Sequence, residues 1–209
     1  MEYNRHYMNT PNVGVLAFHG DVVEHIRATK QAAIHLKFNI NVIPTRTKND
    51  VKRLDALIMP GGESTTLHTL CQREDMFEDM KKIPCLFGTC AGAILLAKHV
   101  LHTSEGQETL RLMDITVDRN AYGAQTESFE KTVKTKLGAI SAVFIRAPKI
   151  KQVGKGVVVL AKNGNDSIAC EEATGKQFFM ACTFHPELTT TVFHEYFLMH
   201  LVSSLNRRT

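Results

Sequence analysis

The sequence predicts an α/β protein whose sheet is mostly parallel and covered by helices on both faces. Two observations lead to this prediction. Strand and helix patterns alternate along the first half of the chain, and the strands are continuous apolar runs, which is typical of strands buried on both faces. A chain of 209 residues that is 44% hydrophobic and 22% charged can form one substantial core. We expect a loose polar arm over residues 1–12 and a single domain over 13–209.

The elements of the first half follow one another in strand–helix order. Val13–Phe18 is a short apolar run and predicts a buried strand. Val22–Leu36 repeats apolar residues at near-helical spacing and predicts a helix. Further strands are expected at Ile40–Pro44, Asp55–Gly62 and Ile83–Gly88. Two further helices are expected, one with Ser64 as its N-cap and one over Ala91–Leu101.

The second half is richer in strands. Strand patterns are found at Leu112–Val117, Ala142–Ala147, Gly156–Ala161, Ser167–Glu172 and Gln177–Phe184. The stretch Asn163-Gly164-Asn165 lies between two of these strands and predicts a hairpin turn. A helix from about Thr191 to Leu205 is expected to follow the strands.

Charge and composition argue against several classes of protein. The net charge is +4, but the basic residues are scattered, and the stretch Lys149–Lys155 has no interleaved aromatic residues for stacking on bases, so we expect no nucleic-acid partner. No apolar stretch approaches the ~20 residues that span a bilayer, and the polar N-terminus is not a signal peptide. Five cysteines without a Cys-x-x-Cys pair argue against a disulfide framework or a zinc site. We expect a cytoplasmic protein with no metal and no cofactor.

A single cysteine stands between two glycines where a predicted strand meets a predicted helix, in Gly88-Thr89-Cys90-Ala91-Gly92. Glycines two residues before and after relieve the crowding of a sharp strand-to-helix turn, as in a nucleophile elbow with cysteine in place of serine. The helix N-terminus also favours a thiolate. A buried apolar cysteine with glycines used only for packing explains this pentapeptide equally well.

A histidine and a glutamate follow the strand at Gln177–Phe184. His185 and Glu187 are two residues apart, so they point to the same side of an extended segment. The carboxylate can then hold the imidazole in the tautomer that accepts a thiol proton. A surface histidine beside an acidic residue is the simpler interpretation of these residues alone. Together with Cys90, they supply a complete Cys-His-Glu triad.

Two consecutive glycines end the strand at Asp55–Gly62. Gly61 and Gly62 can adopt conformations with positive φ, and their N–H groups can then face an oxyanion that develops during acyl transfer. A plain turn before a helix capped by Ser64 is one alternative. A phosphate-binding loop is another, but the Gly-Lys-Ser/Thr ending of such a loop is missing.

Two arginines lie in otherwise apolar surroundings and could hold an amino-acid substrate. They are Arg119 in DRNAYG and Arg146 in FIRAP. Arginine binds a carboxylate well, and Glu63 could hold the ammonium group. Surface salt bridges are the more common role of any single arginine.

Taken together, these stretches resemble the class I (triad) glutamine amidotransferases, and more narrowly the glutaminase subunits of pyridoxal 5'-phosphate synthases. The stretches that carry the resemblance run from residue 14 to residue 188 and are GVLAFHGD, LIMPGGESTT, FGTCAGAILLA, DRNAYGAQTESFE, FIRAP and FHPEL. GTCAG and HPE are shared by the whole superfamily. PGGESTT, FIRAP and the pattern RNxxGxQxxSF are specific to the vitamin B6 branch.

The resemblance implies a role for each residue of these motifs. Cys90 corresponds to the nucleophile, His185 to the base and Glu187 to the residue that orients the base. Gly61 and Gly62 correspond to the loop whose backbone forms the oxyanion hole. The positions that contact glutamine correspond to Gly62, Glu63, Ser64, Arg119, Ile145 and Arg146.

The resemblance also implies a fold, a reaction and a partner. The fold would be a three-layer α/β/α flavodoxin-like sandwich, and the reaction would be hydrolysis of L-glutamine to L-glutamate and ammonia through a thioester. The partner would be a barrel-shaped synthase subunit in a hetero-oligomeric complex, which receives the ammonia and makes pyridoxal 5'-phosphate. The chain departs from the family at His19, where glutamine is usual, and at Ala124, where a larger polar residue is common. Two alternatives are a triad amidotransferase subunit of purine or histidine synthesis and a non-catalytic docking protein with the same fold.

Overall fold

Twelve strands and six α-helices are formed by the residues that the computed structural model describes, which are 10–120, 128–175 and 177–206. The strands are β1 (Asn12–Leu16), β2 (Asn41–Thr45), β3 (Ala56–Met59), β4 (Cys85–Thr89), β5 (Ala97–Leu101), β6 (Met113–Asp118), β7 (Ser128–Thr135), β8 (Gly138–Ile145), β9 (Lys149–Val153), β10 (Val157–Asn163), β11 (Asp166–Thr174) and β12 (Gln177–Cys182). The helices are α1 (Val22–Leu36), α2 (Lys48–Val51), α3 (Ser64–Arg73), α4 (Phe77–Met80), α5 (Ala91–Leu96) and α6 (Val192–Asn206). A 3₁₀ turn covers Pro186–Leu188. Of the arm expected at residues 1–12, positions 1–9 lie outside the described residues, and Asn12 already belongs to β1.

The strands form one mixed sheet in the order β2-β1-β3-β4-β12-β11-β10-β7-β8. Neighbouring strands from β2 to β12 run parallel, as the continuous apolar runs predict. From β12 to β8 the neighbours are antiparallel. Three strands lie outside this order: β5 pairs with β6, and β9 pairs with both β6 and β11. Because β4 and β12 are parallel neighbours, the segments that follow them emerge at the same edge of the sheet.

Helices cover both faces of this sheet. Alternate residues of β3 belong to two different buried clusters, because successive side chains of a strand point to opposite faces. Ile58 joins the cluster under α1 and α6, which contains Phe193 and Phe197. Leu57 joins the cluster under α3 and α5, which contains Leu67. The predicted three-layer α/β/α arrangement is confirmed.

The helix predicted over Ala91–Leu101 is wrong in its second half. Helix α5 ends at Leu96, and the chain continues as strand β5, which pairs in parallel with β6 from Ala97 opposite Met113. No glycine or proline marks this change in the sequence. The hydrogen bonds that β6 offers outweigh the helical pattern, since a tertiary partner commonly overrides local propensity.

Helix α1 has the predicted bounds, and its most buried positions form one stripe. Its fully or nearly buried residues are His25, Ala28, Thr29, Ala32 and Ala33, which is the i, i+3, i+4, i+7, i+8 pattern of a core-facing stripe. Val23 and Ile34, by contrast, are 71% and 67% exposed. Small residues and His25 therefore occupy the fully buried positions, while the larger Val22, Ile26 and Leu36 are partly buried against the same cluster.

Besides β5, four described helices and strands have no counterpart in the sequence-based prediction. They are the short helices α2 and α4 and the strands β7 and β9. Strand β9 is formed by the basic stretch that begins at Lys149, and it is held by pairing with β6 and β11. The predicted hairpin turn is confirmed, because Asn163 pairs with Asp166 across Gly164-Asn165.

Candidate active site

Cys90 occupies a strained turn between β4 and α5. Its backbone has φ 48° and ψ −106°, a region that residues other than glycine rarely adopt. Its N–H donates to the Cys182 carbonyl at 2.8 Å, so the neighbouring strand β12 holds the turn. The side chain is only 6% exposed, and its Sγ lies 3.9 Å from the Ile145 carbonyl oxygen.

The two glycines around Cys90 are required by close backbone contacts. A Cβ atom on Gly88 would lie 2.3 Å from the Gly92 carbonyl oxygen, and one on Gly92 would lie 2.0 Å from the Met59 carbonyl oxygen. Both distances are too short for any side chain. The geometry is that of a nucleophile elbow, as the glycine spacing predicts.

His185 and Glu187 follow β12 and reach the same edge of the sheet. The His185 Nδ1 and Glu187 Oε1 atoms are 2.8 Å apart. The opposite ring atom, His185 Nε2, is buried and has no hydrogen-bond partner among the described residues. Gly61 lies between the imidazole and the cysteine, since a Cβ atom there would lie 2.4 Å from His185 Cε1 and 3.2 Å from Cys90 Cβ. The sequence-predicted Cys90, His185 and Glu187 are thus brought together.

A second carboxylate reaches the same imidazole. Asp21 Oδ2 lies 3.0 Å from His185 Nδ1. Burial on its own would lower the pKa of His185, but the Asp21 and Glu187 carboxylates and the nearby Cys90 sulfur raise this pKa to about 12. Burial would raise the pKa of Glu187, but its contacts with His25 and His185 hold it well below its usual value. The ring is therefore held as an imidazolium between two carboxylates.

The two glycines of the Pro60-Gly61-Gly62 turn serve different purposes. Gly62 has φ 124°, a conformation that only glycine adopts readily. Gly61 is needed instead for its closeness to His185 and Cys90. Gly20 packs against this turn, because a Cβ atom on it would lie 1.9 Å from the Gly61 carbonyl oxygen. The His19 ring, in the loop between β1 and α1, covers Gly62, with Nδ1 2.3 Å from the position of a Gly62 Cβ.

Glu63, and not Ser64, caps helix α3. The Glu63 carboxylate accepts hydrogen bonds from the backbone N–H groups of Thr65 and Thr66 at 3.1 and 2.7 Å. Ser64 is the first residue of the helix and is buried. The predicted cap is wrong by one residue, because the Glu63 side chain extends forward over the first turn and accepts hydrogen bonds from its N–H groups.

The Glu63 carboxylate also forms an ion pair with Arg119, at 3.3 Å. Arg119 donates further hydrogen bonds to Ser104, at 3.0 Å, and to Gln107. Burial raises the pKa of Glu63, but the hydrogen bonds from the hydroxyl and backbone groups of Thr65 and Thr66 outweigh burial and lower it to about 2. A cation and an anion suited to an amino-acid zwitterion are therefore adjacent.

Ile145 and Arg146 end strand β8 beside the cysteine. Both side chains are exposed, and Arg146 has φ 44°. The Ile145 carbonyl is the group that faces Cys90 Sγ. The stretch after Arg119 that carries Ala124 lies outside the described residues.

Sequence reasoning missed two buried histidines behind Glu187. His25, on α1, and His194, on α6, are both 0% exposed. The signal for His25 was present in the sequence, because it is spaced i, i+3, i+4 from Ala28 and Thr29 on a stripe of small residues. His194 carries no such signal, since it lies among large apolar residues on a helix with several possible buried faces.

Comparison with known proteins places the chain among glutamine amidotransferases. The model of the SNO glutamine amidotransferase family matches residues 15–203. The protein named pyridoxal 5'-phosphate synthase subunit PdxT of Oenococcus oeni is 43% identical over 197 residues, which cover 90% of this chain and 96% of that one. The protein of the same name from Korarchaeum cryptofilum is 42% identical over 91% of this chain and 98% of its own. A solved structure titled as a glutamine amidotransferase superposes with a TM-score of 0.77 at 39% identity, over 91% of this chain and 98% of that one.

The helices of the described ranges were also compared with the requirements of a membrane span. Within residues 10–120, 128–175 and 177–206, none is both long and apolar enough to cross a bilayer.

Proposed function

We propose, from the premise that the chain belongs to the SNO glutamine amidotransferase family, that it is the glutaminase subunit of a pyridoxal 5'-phosphate synthase. It hydrolyses L-glutamine to L-glutamate and ammonia. The observation that carries this proposal is the strained cysteine at the end of β4, with a Glu187-bound imidazole one glycine away. The names of the relatives from Oenococcus oeni and Korarchaeum cryptofilum support the pathway.

The first half of the reaction forms a thioester. Beside the His185 imidazolium, Cys90 reacts as a thiolate, and its sulfur attacks the side-chain amide carbon of glutamine. The carbonyl π electrons move to oxygen, and N–H groups of the Gly61–Gly62 turn stabilise the oxyanion. When the tetrahedral intermediate collapses, the C–N bond breaks and His185 gives its proton to the departing nitrogen, which leaves as ammonia.

The second half releases glutamate. A water molecule transfers a proton to His185 and attacks the thioester carbon. The C–S bond then breaks, which restores the Cys90 thiolate beside the protonated His185, and the new carboxylic acid of glutamate loses its proton to solvent. Glu187 stays ionised throughout and keeps Nδ1 of the imidazole protonated, so that Nε2 is the atom that exchanges protons.

The residues around the mouth of the site hold the substrate. Arg119 binds the α-carboxylate of glutamine and Glu63 binds its ammonium group, which suits the ion pair they form without substrate. Ser64, Ile145 and Arg146 complete the contacts. Ammonia passes to a barrel-shaped synthase subunit in a hetero-oligomeric cytoplasmic complex, which needs no nucleic acid, membrane, metal or cofactor at the glutaminase.

Replacement of the nucleophile tests the proposal. Cys90→Ala should abolish ammonia release from glutamine in the presence of the synthase subunit, because no other group forms the thioester. Cys71→Ala is a matched control, since Cys71 is a fully buried α3 residue whose pKa burial raises to about 12. It should retain activity. Ammonia release by folded Cys90→Ala, or no release by the wild-type protein with the synthase, would contradict the proposal.

A further inference from the structure

Two buried histidines form a continuous contact path that ends on the catalytic carboxylate. His194 Nε2 lies 3.0 Å from His25 Nδ1. His25 Nε2 lies 3.2 Å from Glu187 Oε1 and 3.0 Å from Thr89 Oγ1. Glu187 Oε1 is also the oxygen that accepts the hydrogen bond from His185 Nδ1. Both histidine rings are fully buried, and the His25 ring stands edge-on to Phe87 at 6.4 Å.

The chemistry of the partners determines where the protons lie. An ionised carboxylate only accepts hydrogen bonds, and a ring nitrogen lone pair 3.2 Å from it would be repelled. His25 therefore carries its proton on Nε2, within reach of both Glu187 and Thr89. Its Nδ1 is then an acceptor, and His194 Nε2 supplies the proton. His194 Nδ1, which has no partner among the described residues, is left as a lone pair, the less costly group to bury without a hydrogen bond.

Burial is consistent with this assignment. Full burial lowers the pKa of His194 to about 3. His194 is therefore neutral at physiological pH. The titratable groups that face His25 are His194 from α6 and Glu187 from the 3₁₀ turn, with His185 and Asp21 on the far side of Glu187.

We propose that His25 is a positioning residue for glutamine hydrolysis, which holds Glu187 in place and ionised, and that His194 fixes the tautomer in which His25 can do so. This inference rests on the proposed glutaminase activity. His25 touches neither the sulfur nor the substrate, and acts through Glu187 on the His185 ring. Through Thr89, the residue before the nucleophile, the same imidazole ties helix α1 to both halves of the triad.

The test compares two replacements of His25 in the complex with the synthase subunit. His25→Leu removes the N–H donor but fills the space, whereas His25→Gln can still place an N–H group near Glu187. We expect His25→Leu to lower kcat by about 10-fold, the equivalent of one hydrogen bond to a charged group, with KM unchanged. His25→Gln should recover most of this loss.

The pH profile provides a readout that a merely structural role would not move. Loss of a donor raises the pKa of the carboxylate that accepted the bond. In the plot of kcat against pH, the decrease on the acid side (the acid limb) should therefore shift to higher pH in His25→Leu, but not in His25→Gln. His194→Leu should lower kcat in the same direction by a smaller factor, because it removes only the group that fixes the tautomer.

His68→Leu is the matched control for the loss of a buried histidine. His68 is 5% exposed, lies on α3 and packs on Phe77, outside the path to Glu187. It should leave kcat and the acid limb unchanged even if it lowers the melting temperature. Folded His25→Leu with wild-type kcat and acid limb, or the same changes in His68→Leu, would overturn the positioning role. Failure of the glutaminase proposal is distinguishable, because the wild-type protein itself would then release no ammonia.

Discussion

At the scale of single residues, Glu63 combines three tasks. It caps helix α3, it pairs with Arg119 and, in the proposed function, it receives the ammonium group of glutamine. A carboxylate already satisfied by hydrogen bonds cannot rotate freely toward a ligand. The substrate must therefore approach the orientation that the helix imposes on Glu63, which is a form of preorganisation.

Glu63→Gln should change how stability responds to acid. The pKa of Glu63 is about 2 in the folded protein, below its usual value near 4.5, so its contribution is present above about 4.5 and is lost as the pH falls toward 2. Because the carboxylate is 42% exposed, we expect the substitution to lower the free energy of unfolding by at most about 1 kcal/mol at pH 7. Urea unfolding at pH 7 and pH 2.5 should show a gap between wild type and variant that closes in acid. A gap independent of pH would contradict this origin.

The residues of the site divide into those that a sequence can reveal and those that it cannot. Cys90, His185 and Glu187 stand in short motifs whose spacing has a chemical reason, so their proximity could be anticipated. Asp21 ends the stretch GVLAFHGD, in which no spacing predicts its contact with His185. His25 lies outside the motifs, and although its spacing from Ala28 and Thr29 indicates a buried position, nothing in the sequence indicates that it reaches Glu187.

At the scale of elements, the elbow depends on how closely α5 approaches β3. At Gly92 the helix backbone lies so near β3 that the Met59 carbonyl oxygen fills the space that a Cβ atom on residue 92 would need. The helix is only six residues long, so it has little intrinsic stability and depends on this packing.

Gly92→Ala should destabilise the fold by about 1–3 kcal/mol, since the backbone of β3 must move to admit a methyl group. Gly156→Ala is the control, because the nearest atom to its Cβ would be 3.7 Å away. Free energies of unfolding from urea titration measure both. An equal effect of the two substitutions would show that close packing at Gly92 is not what makes glycine necessary.

The element most clearly beyond sequence-based prediction is β5. The helical pattern continues through Ala97–Leu101, but this segment forms a strand because it pairs with β6. Local periodicity describes what a segment could form alone, whereas β5 is decided by a partner that comes later in the chain. The parallel strands β1, β3 and β4 were predictable because burial on both faces leaves a continuous apolar run.

At the scale of the whole molecule, the imidazolium of His185 should make stability depend on alkaline pH. Its pKa is about 12 in the folded protein, against about 6.5 in an unfolded chain. The folded state therefore keeps a proton that the unfolded state loses. This contribution is complete below about pH 6.5 and declines as the pH rises toward 12. The stability advantage of wild type over His185→Gln should shrink between pH 6.5 and pH 9, as measured by urea unfolding. An advantage that grows over this range would refute the prediction.

Strand β12 lies in the middle of the sheet, although eleven of the described strands precede it in the chain. During synthesis on the ribosome, the nucleophile elbow emerges well before the strand that completes it. Until β12 pairs with β4, the Cys90 N–H lacks the Cys182 carbonyl, and the proposed base His185 and its carboxylate Glu187 have not yet been synthesised. A nascent chain, or one cut short before β12, thus carries the cysteine but cannot consume glutamine. The order of the strands delays ammonia release until translation has delivered the centre of the fold.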